Sequence, residues 1–306
     1  MFHGFEGRRV RQSFAALRLG RRGFLATGLA AGFSLAAGPA VAQTAITTDS
    51  KGLVAGPVDI PTTDGTMPAY RAAPQGKSDL PTLLVVSEIF GVHEYIQDVC
   101  RRLAHQGYLA IAPKLFARQG DPSKHADMAS LRAEIIDKVA DAQVMADLDA
   151  TATWAAAHGA NASRLGILGF CWGGRIVWLY AAHRPGLLAG AAWYGQLGGA
   201  STGLKPRAAL DVVPALQAPV LGAYGGKDAG IALADVDKMK VALAKGPQPL
   251  RSRASMFIPM PRTRFMRIIG PAFAKPRPSR LGDACWTGSS RTGSELSVPA
   301  PAAGHR

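Results

Sequence analysis

Cysteine is scarce in this chain of 306 residues: only Cys100, Cys171 and Cys285 occur, with no paired spacing. That excludes a disulfide framework and a zinc knuckle. Phosphate-cradling glycine loops and dinucleotide fingerprints are absent as well, and with them the nucleotide-dependent enzyme classes. The apolar stretch from Ala26 to about Gly38 falls short of the roughly 20 residues a membrane span requires, so no stable membrane insertion is expected. Acidic residues are in short supply only at the two ends. The net charge of +14 divides into +5 over residues 1–42, +8 over 251–306 and +1 over 43–250. The middle of the chain is thus almost neutral, which argues against a basic surface for nucleic acid. With 48% hydrophobic residues, it has ample material for one packed α/β domain.

The N-terminus reads as an address. Arg21-Arg22-Gly23-Phe24-Leu25 opens a small apolar run that closes on Ala40-Val41-Ala42. This resembles a bacterial twin-arginine export signal. Residues 1–42 are therefore expected to be recognised by the twin-arginine machinery and cleaved after Ala42, which would leave a periplasmic protein.

Residues 43–250 alternate between two periodicities. Gly52–Ile60 and Met67–Ala73 read as strands about the turn Thr63-Asp64-Gly65, and Thr82–Val86 as a buried strand. Glu94–His105 has helical spacing and stops at Gly107. Strands over Tyr108–Pro113, Leu165–Phe170, Leu188–Tyr194 and Val220–Tyr224 follow. Between and after them lie helices within Ala129–His158, from Arg175 to about His183, and over Ile231–Ala244. Such alternation predicts a mostly parallel sheet covered on both faces, with the site beyond the strands' carboxyl ends.

Gly169-Phe170-Cys171-Trp172-Gly173 lies where one of these strands meets a helix. The spacing G-x-C-x-G is that of a nucleophile elbow with sulfur at its apex. Glycines two before and two after the nucleophile fit a turn too tight for a Cβ. The positive end of the following helix is expected to favour the thiolate. Two carboxylates also follow strands: Glu88 after Thr82–Val86, and Asp228 after Val220–Tyr224. Nucleophile before acid is the chain order of α/β-hydrolases, with a histidine to come last. The backbone N–H groups of Ile89 and Trp172 are placed to serve as oxyanion donors. His93, His105, His125, His158 and His183 all precede Asp228 and read as surface or capping residues. Trp178, Trp193 and Tyr194 read as core or pocket lining, and Cys100 as inert packing.

Four motifs together resemble the dienelactone hydrolase (carboxymethylenebutenolidase) family: Ser87-Glu88-Ile89-Phe90-Gly91, Gly107-Tyr108-Leu109-Ala110-Ile111-Ala112-Pro113, Gly169-Phe170-Cys171-Trp172-Gly173-Gly174 and Gly225-Gly226-Lys227-Asp228. The resemblance spans about residues 50–246. It implies an α/β-hydrolase fold and attack by Cys171 on a small ester or lactone carbonyl, through an acyl-thioester. It further implies that Asp228 orients a histidine, that Glu88 takes the thiol proton, and that Ile89 and Trp172 form the oxyanion hole. No metal or organic cofactor is implied, and a monomer is expected.

Beyond about residue 250 the chain departs from that pattern. The family carries a histidine in a segment like Y-P-x-A-x-H-A-F and then a closing helix, whereas here the only later histidine is His305. The genetic code supplies a reason. In the frame that joins the last base of each codon to the first two of the next, Met256-Phe257 must give Val and Met260-Pro261 must give Ala. The codons through Phe273 permit V-Y-P-D-A-P-H-A-F-H-A-D-Y-R-P-S. Residues 251–306 are accordingly expected to be an out-of-frame, basic, low-complexity tail, with the last strand and helix missing and hydrolysis impaired. The alternative reading is a non-catalytic exported scaffold or binding protein. A redox-sensing thiol is a lesser one, since no resolving cysteine is evident.

Overall fold

The computed structural model describes residues 47–226, 228–245 and, as backbone, 258–260. The expected export signal, closing helix and His305 lie outside the described residues. Strands β1 (Leu53–Thr62) and β2 (Gly65–Pro74) form a hairpin closed by Thr63-Asp64. There follow β3 (Leu80–Val86), α1 (Glu94–His105), β4 (Leu109–Pro113), α2 (Met128–Glu134) and α3 (Asp141–Ala157). The second half holds β5 (Ala160–Phe170), α4 (Trp172–His183), β6 (Ala189–Trp193), β7 (Val220–Gly225), α5 (Leu233–Lys245) and β8 (Ile258–Met260).

The strands join in one sheet of order β1-β2-β4-β3-β5-β6-β7-β8. Pairing is antiparallel for β1·β2 and β2·β4 and parallel from β4 onward. This is the α/β-hydrolase fold expected. Because side chains alternate along a strand, Leu109 and Ile111 of β4 face one apolar cluster while Ala110 and Ala112 face the other. The first cluster lies under α3 and α4, through Val144, Leu148, Ile176 and Trp178. The second lies under α1, through Ile96, Val99, Cys100 and Ala104. Their i, i+3, i+4 spacing makes α1 amphipathic, and Glu94 in its first turn with Arg102 and His105 in its last suits the helix dipole.

The structure corrects one expectation. The edge of β7, expected to be bare, is paired in parallel with Ile258–Met260. Ladder bonds are made by backbone groups, so a short extended segment can pair there even with Pro259, which brings a carbonyl but no N–H, at its centre.

A buried ion pair ties the helix behind the elbow to its surroundings. Arg175 of α4 donates to both carboxylate oxygens of Asp141, at 2.7 and 2.8 Å, and to the Arg207 carbonyl at 2.7 Å. The two side chains are 11% and 13% exposed. Removing one partner alone strands the other charge out of water. Arg175→Ala should therefore lower the urea midpoint by an amount worth about 3–5 kcal/mol. Arg175→Met with Asp141→Leu should recover most of it; a single variant as stable as the parent would contradict this account.

Candidate active site

The carboxyl ends of β3, β5, β6 and β7 lie along one edge of the sheet, because these strands run parallel. Cys171 stands there between β5 and α4, with φ +53° and ψ −114°. A β-carbon at that φ costs energy, of order 1–3 kcal/mol, and neighbouring contacts hold it. The Cys171 N–H donates to the Trp193 carbonyl at 2.9 Å, and the Arg175 N–H to the Cys171 carbonyl at 3.3 Å. Close backbone approaches complete the turn. A Cβ on Gly169 would sit 2.3 Å from the Gly173 oxygen, and one on Gly173 would sit 2.4 Å from the Val86 oxygen. A second approach, between Gly174 and Gly195, had no counterpart in the motif reading; a Cβ on Gly195 would meet the Gly174 carbonyl carbon at 2.3 Å.

The thiol is half-buried, not sealed in the core. Burial, the largest influence, pushes its pKa up to about 11. A hydrogen bond from the Trp172 N–H and the charge of Arg132 act the other way, while Glu88 and Asp228 reinforce the rise. The pull of the helix N-terminus toward the thiolate, expected from the sequence, is thus outweighed. Desolvation and two nearby carboxylates outweigh one N–H and the dipole.

Glu88, just past β3, is 8% exposed. Its Oε2 lies 3.3 Å from Nε2 of His93, and its Oε1 accepts from the Tyr194 hydroxyl at 3.5 Å. Ile89 is buried beside it. The Trp172 indole packs against Phe116, ring centres 4.8 Å apart. Asp228 follows β7 and closes its own turn: Oδ1 accepts from the Gly230 N–H at 2.8 Å. Among the described residues no histidine contacts it. The structure thus gathers Cys171, Glu88, Trp172 and Asp228 at one edge, and the charges of both carboxylates reach the sulfur.

The places of His93 and Arg132 escaped the sequence reading, whereas Tyr194 was read as core or pocket lining. His93 precedes α1 but makes no capping bond; its ring turns to Glu88 and stacks on Tyr95. Tyr194, at φ +40°, is raised well above the ordinary phenol pKa by burial and then by Glu88 and Cys171. Arg132 of α2 is the cation nearest in effect to the thiol. Only Tyr194 had a signal, the strand end it follows. The remaining histidines lie elsewhere: His105 near Asp49, His125 near Glu134, His158 on Trp154 and His183 on Asp149. Trp178 is core and bonds the Tyr224 hydroxyl. Cys100 is fully buried, which raises its pKa far above the usual thiol value.

Comparison with known proteins places this geometry. The sequence profile described as "Dienelactone hydrolase family" matches residues 67–251. A Methylorubrum extorquens protein named "Putative carboxymethylenebutenolidase" is 56% identical over 234 residues, covering 76% of this chain and 80% of its own. An Escherichia coli K12 protein of the same name is 50% identical, covering 72% of this chain and 81% of its own. A solved structure from Klebsiella pneumoniae, described as a "Putative Dienelactone Hydrolase", superposes with TM-score 0.65 at 50% identity, covering 68% of this chain and 85% of that one.

A thiol held protonated by burial reacts slowly at rest. Iodoacetamide should label Cys171 roughly tenfold or more slowly than free cysteine at neutral pH. The rate should still be rising near pH 10. Labelling faster than free cysteine at pH 7.5, followed by intact-protein mass, would overturn the assignment of burial as the dominant influence.

Proposed function

The chain belongs to the dienelactone hydrolase family, and from that we propose that Cys171 is the nucleophile in hydrolysis of small activated esters or lactones. The observation that carries this reading is the sulfur's place: half-buried at a strained strand-to-helix turn, with Glu88 close enough to act on it electrostatically. The thiol proton passes to Glu88 as sulfur attacks the carbonyl carbon. The backbone N–H groups of Ile89 and Trp172 hold the oxygen that becomes negative. Collapse expels the alcohol or enol oxygen and leaves an acyl-thioester. An enol leaves readily without a strong acid, so activated lactones suit this site better than amides. Water then cleaves the thioester and sulfur recovers its proton. The chain's own residues and water complete the cycle.

Deacylation is the weak half. Asp228 is taken as the acid that orients a histidine, yet among the described residues no histidine contacts it, and its Oδ1 accepts from the Gly230 N–H. The family profile ends at residue 251, where the composition changes and the second reading frame would begin. Both support a frame change near codons 248–251 and a slowed second step. The lack of a histidine on Asp228 among the described residues also favours the other reading, a non-catalytic binding protein on this fold. The twin-arginine pattern supports export, cleavage after Ala42 and a periplasmic location.

With 4-nitrophenyl acetate the expected result is a stoichiometric burst of nitrophenolate, an acyl adduct on Cys171 by mass spectrometry, and slow turnover afterwards. Cys171→Ala should remove burst and adduct together. A wild-type protein with neither would favour the binding protein. Restoring the other frame should raise steady turnover by about 10²-fold or more; an unchanged rate would count against the impaired second step.

A further inference from the structure

We propose that His93 is a positioning residue that acts through Glu88, holding its Oε2 and carrying its proton between the buried carboxyl and solvent. The inference rests on the nucleophile reading of Cys171 and adds a component that reading does not contain. Glu88 is 8% exposed, whereas the His93 side chain is 38% exposed. The two meet at 3.3 Å between Nε2 and Oε2. The carboxylate's other oxygen is engaged by Tyr194. Among the described residues, then, one partner of Glu88 is a phenol inside the site and the other an imidazole reaching outside it.

A buried carboxylate that accepts the thiol proton must also release it, or the next cycle starts with the base already filled. Tyr194 is poorly suited to that exchange, because burial and the adjacent Glu88 charge keep its proton on. Imidazole changes charge between about pH 5 and 8 and can pass a proton from one ring nitrogen to the other side. His93 presents one nitrogen to Glu88 and stacks its ring on Tyr95, centres 6.3 Å apart and planes 21° apart. That contact restrains the ring without using its nitrogens. Its place before α1 would ordinarily suit a cap, and the absence of a capping bond leaves the ring free for Glu88.

The bookkeeping closes with water as the only co-reactant. The S–H bond breaks, its proton goes to Glu88, and the C–S bond forms. When the C–O bond breaks, its electron pair leaves on the alkoxide or enolate, which takes a proton from water where its basicity requires one, while the proton on Glu88 passes through His93 to solvent. In the second half, water's O–H bond breaks as its oxygen joins the acyl carbon. The C–S electron pair returns to sulfur, which recovers a proton.

Tyr194 meets the pair through Glu88 Oε1 and Tyr95 through the His93 ring, and the Glu88 charge reaches Cys171 at the elbow. Burial pushes Tyr95 up to about 12 and Cys171 up to about 11, and Tyr194 also rises.

The test is the burst rate with 4-nitrophenyl acetate and, separately, the rate of Cys171 alkylation by iodoacetamide, which needs the same proton to leave. His93→Gln keeps a hydrogen-bond donor for Glu88 but cannot relay a proton. It should lower the burst rate about tenfold or more and leave KM nearly unchanged. Added imidazole should restore part of the rate in His93→Gln and little in Glu88→Gln. A His93→Gln protein with the wild-type burst rate, or one that imidazole does not rescue, overturns the proposal. The parent reading fails in a different way: there, Cys171→Ala keeps the burst, or the wild type shows no Cys171 adduct.

Discussion

The carbonyl oxygens of Val86 and Ser87 approach Gly173 so closely that a methyl group there would stand 2.4 and 2.7 Å from them. This single contact presses the end of β3 against the start of α4. Because Glu88 is the next residue but one after Val86, the contact also fixes where its carboxylate lies relative to the sulfur. The approach of Gly174 to Gly195 does the same on the other side and brings in Tyr194. The site is therefore assembled by backbone held against backbone. Side chains on those glycines would open the turn, and the strained φ of Cys171 would relax with it.

At the sulfur, two influences compete. The following helix and the Trp172 N–H favour negative charge, while burial and the two carboxylates oppose it. Burial outweighs the helix and the N–H, so the resting group is the thiol. The thiolate is the readily oxidised form, so the same burial shields the sulfur. Glu88 stands between Tyr194 and His93, and the His93 side chain reaches toward solvent.

Much of the fold could be read from residue order. β3, β4, β6 and β7 are short apolar runs bounded by turn residues, and Glu94–His105 was legible to the residue because its periodicity and end charges agree. The elbow was legible because sterics allow only glycine at its flanks. The pair Arg175 and Asp141, thirty-four positions apart, left no such trace. Nor did the short strand at Ile258–Met260, because edge pairing uses backbone groups and Pro259, which has no N–H, speaks against a strand.

What residue order determined by itself was the chemistry available: one thiol between glycines, one carboxylate after each of two strands, and a break in composition near residue 250. These follow from local sterics and spacing, which a chain carries along its length. The tertiary structure decided how each group behaves. Only packing shows that burial keeps the thiol protonated, that Asp228 closes its own turn, and that His93 turns from the helix it precedes toward Glu88. Desolvation and electrostatic coupling depend on distances through space, which the order of residues does not contain.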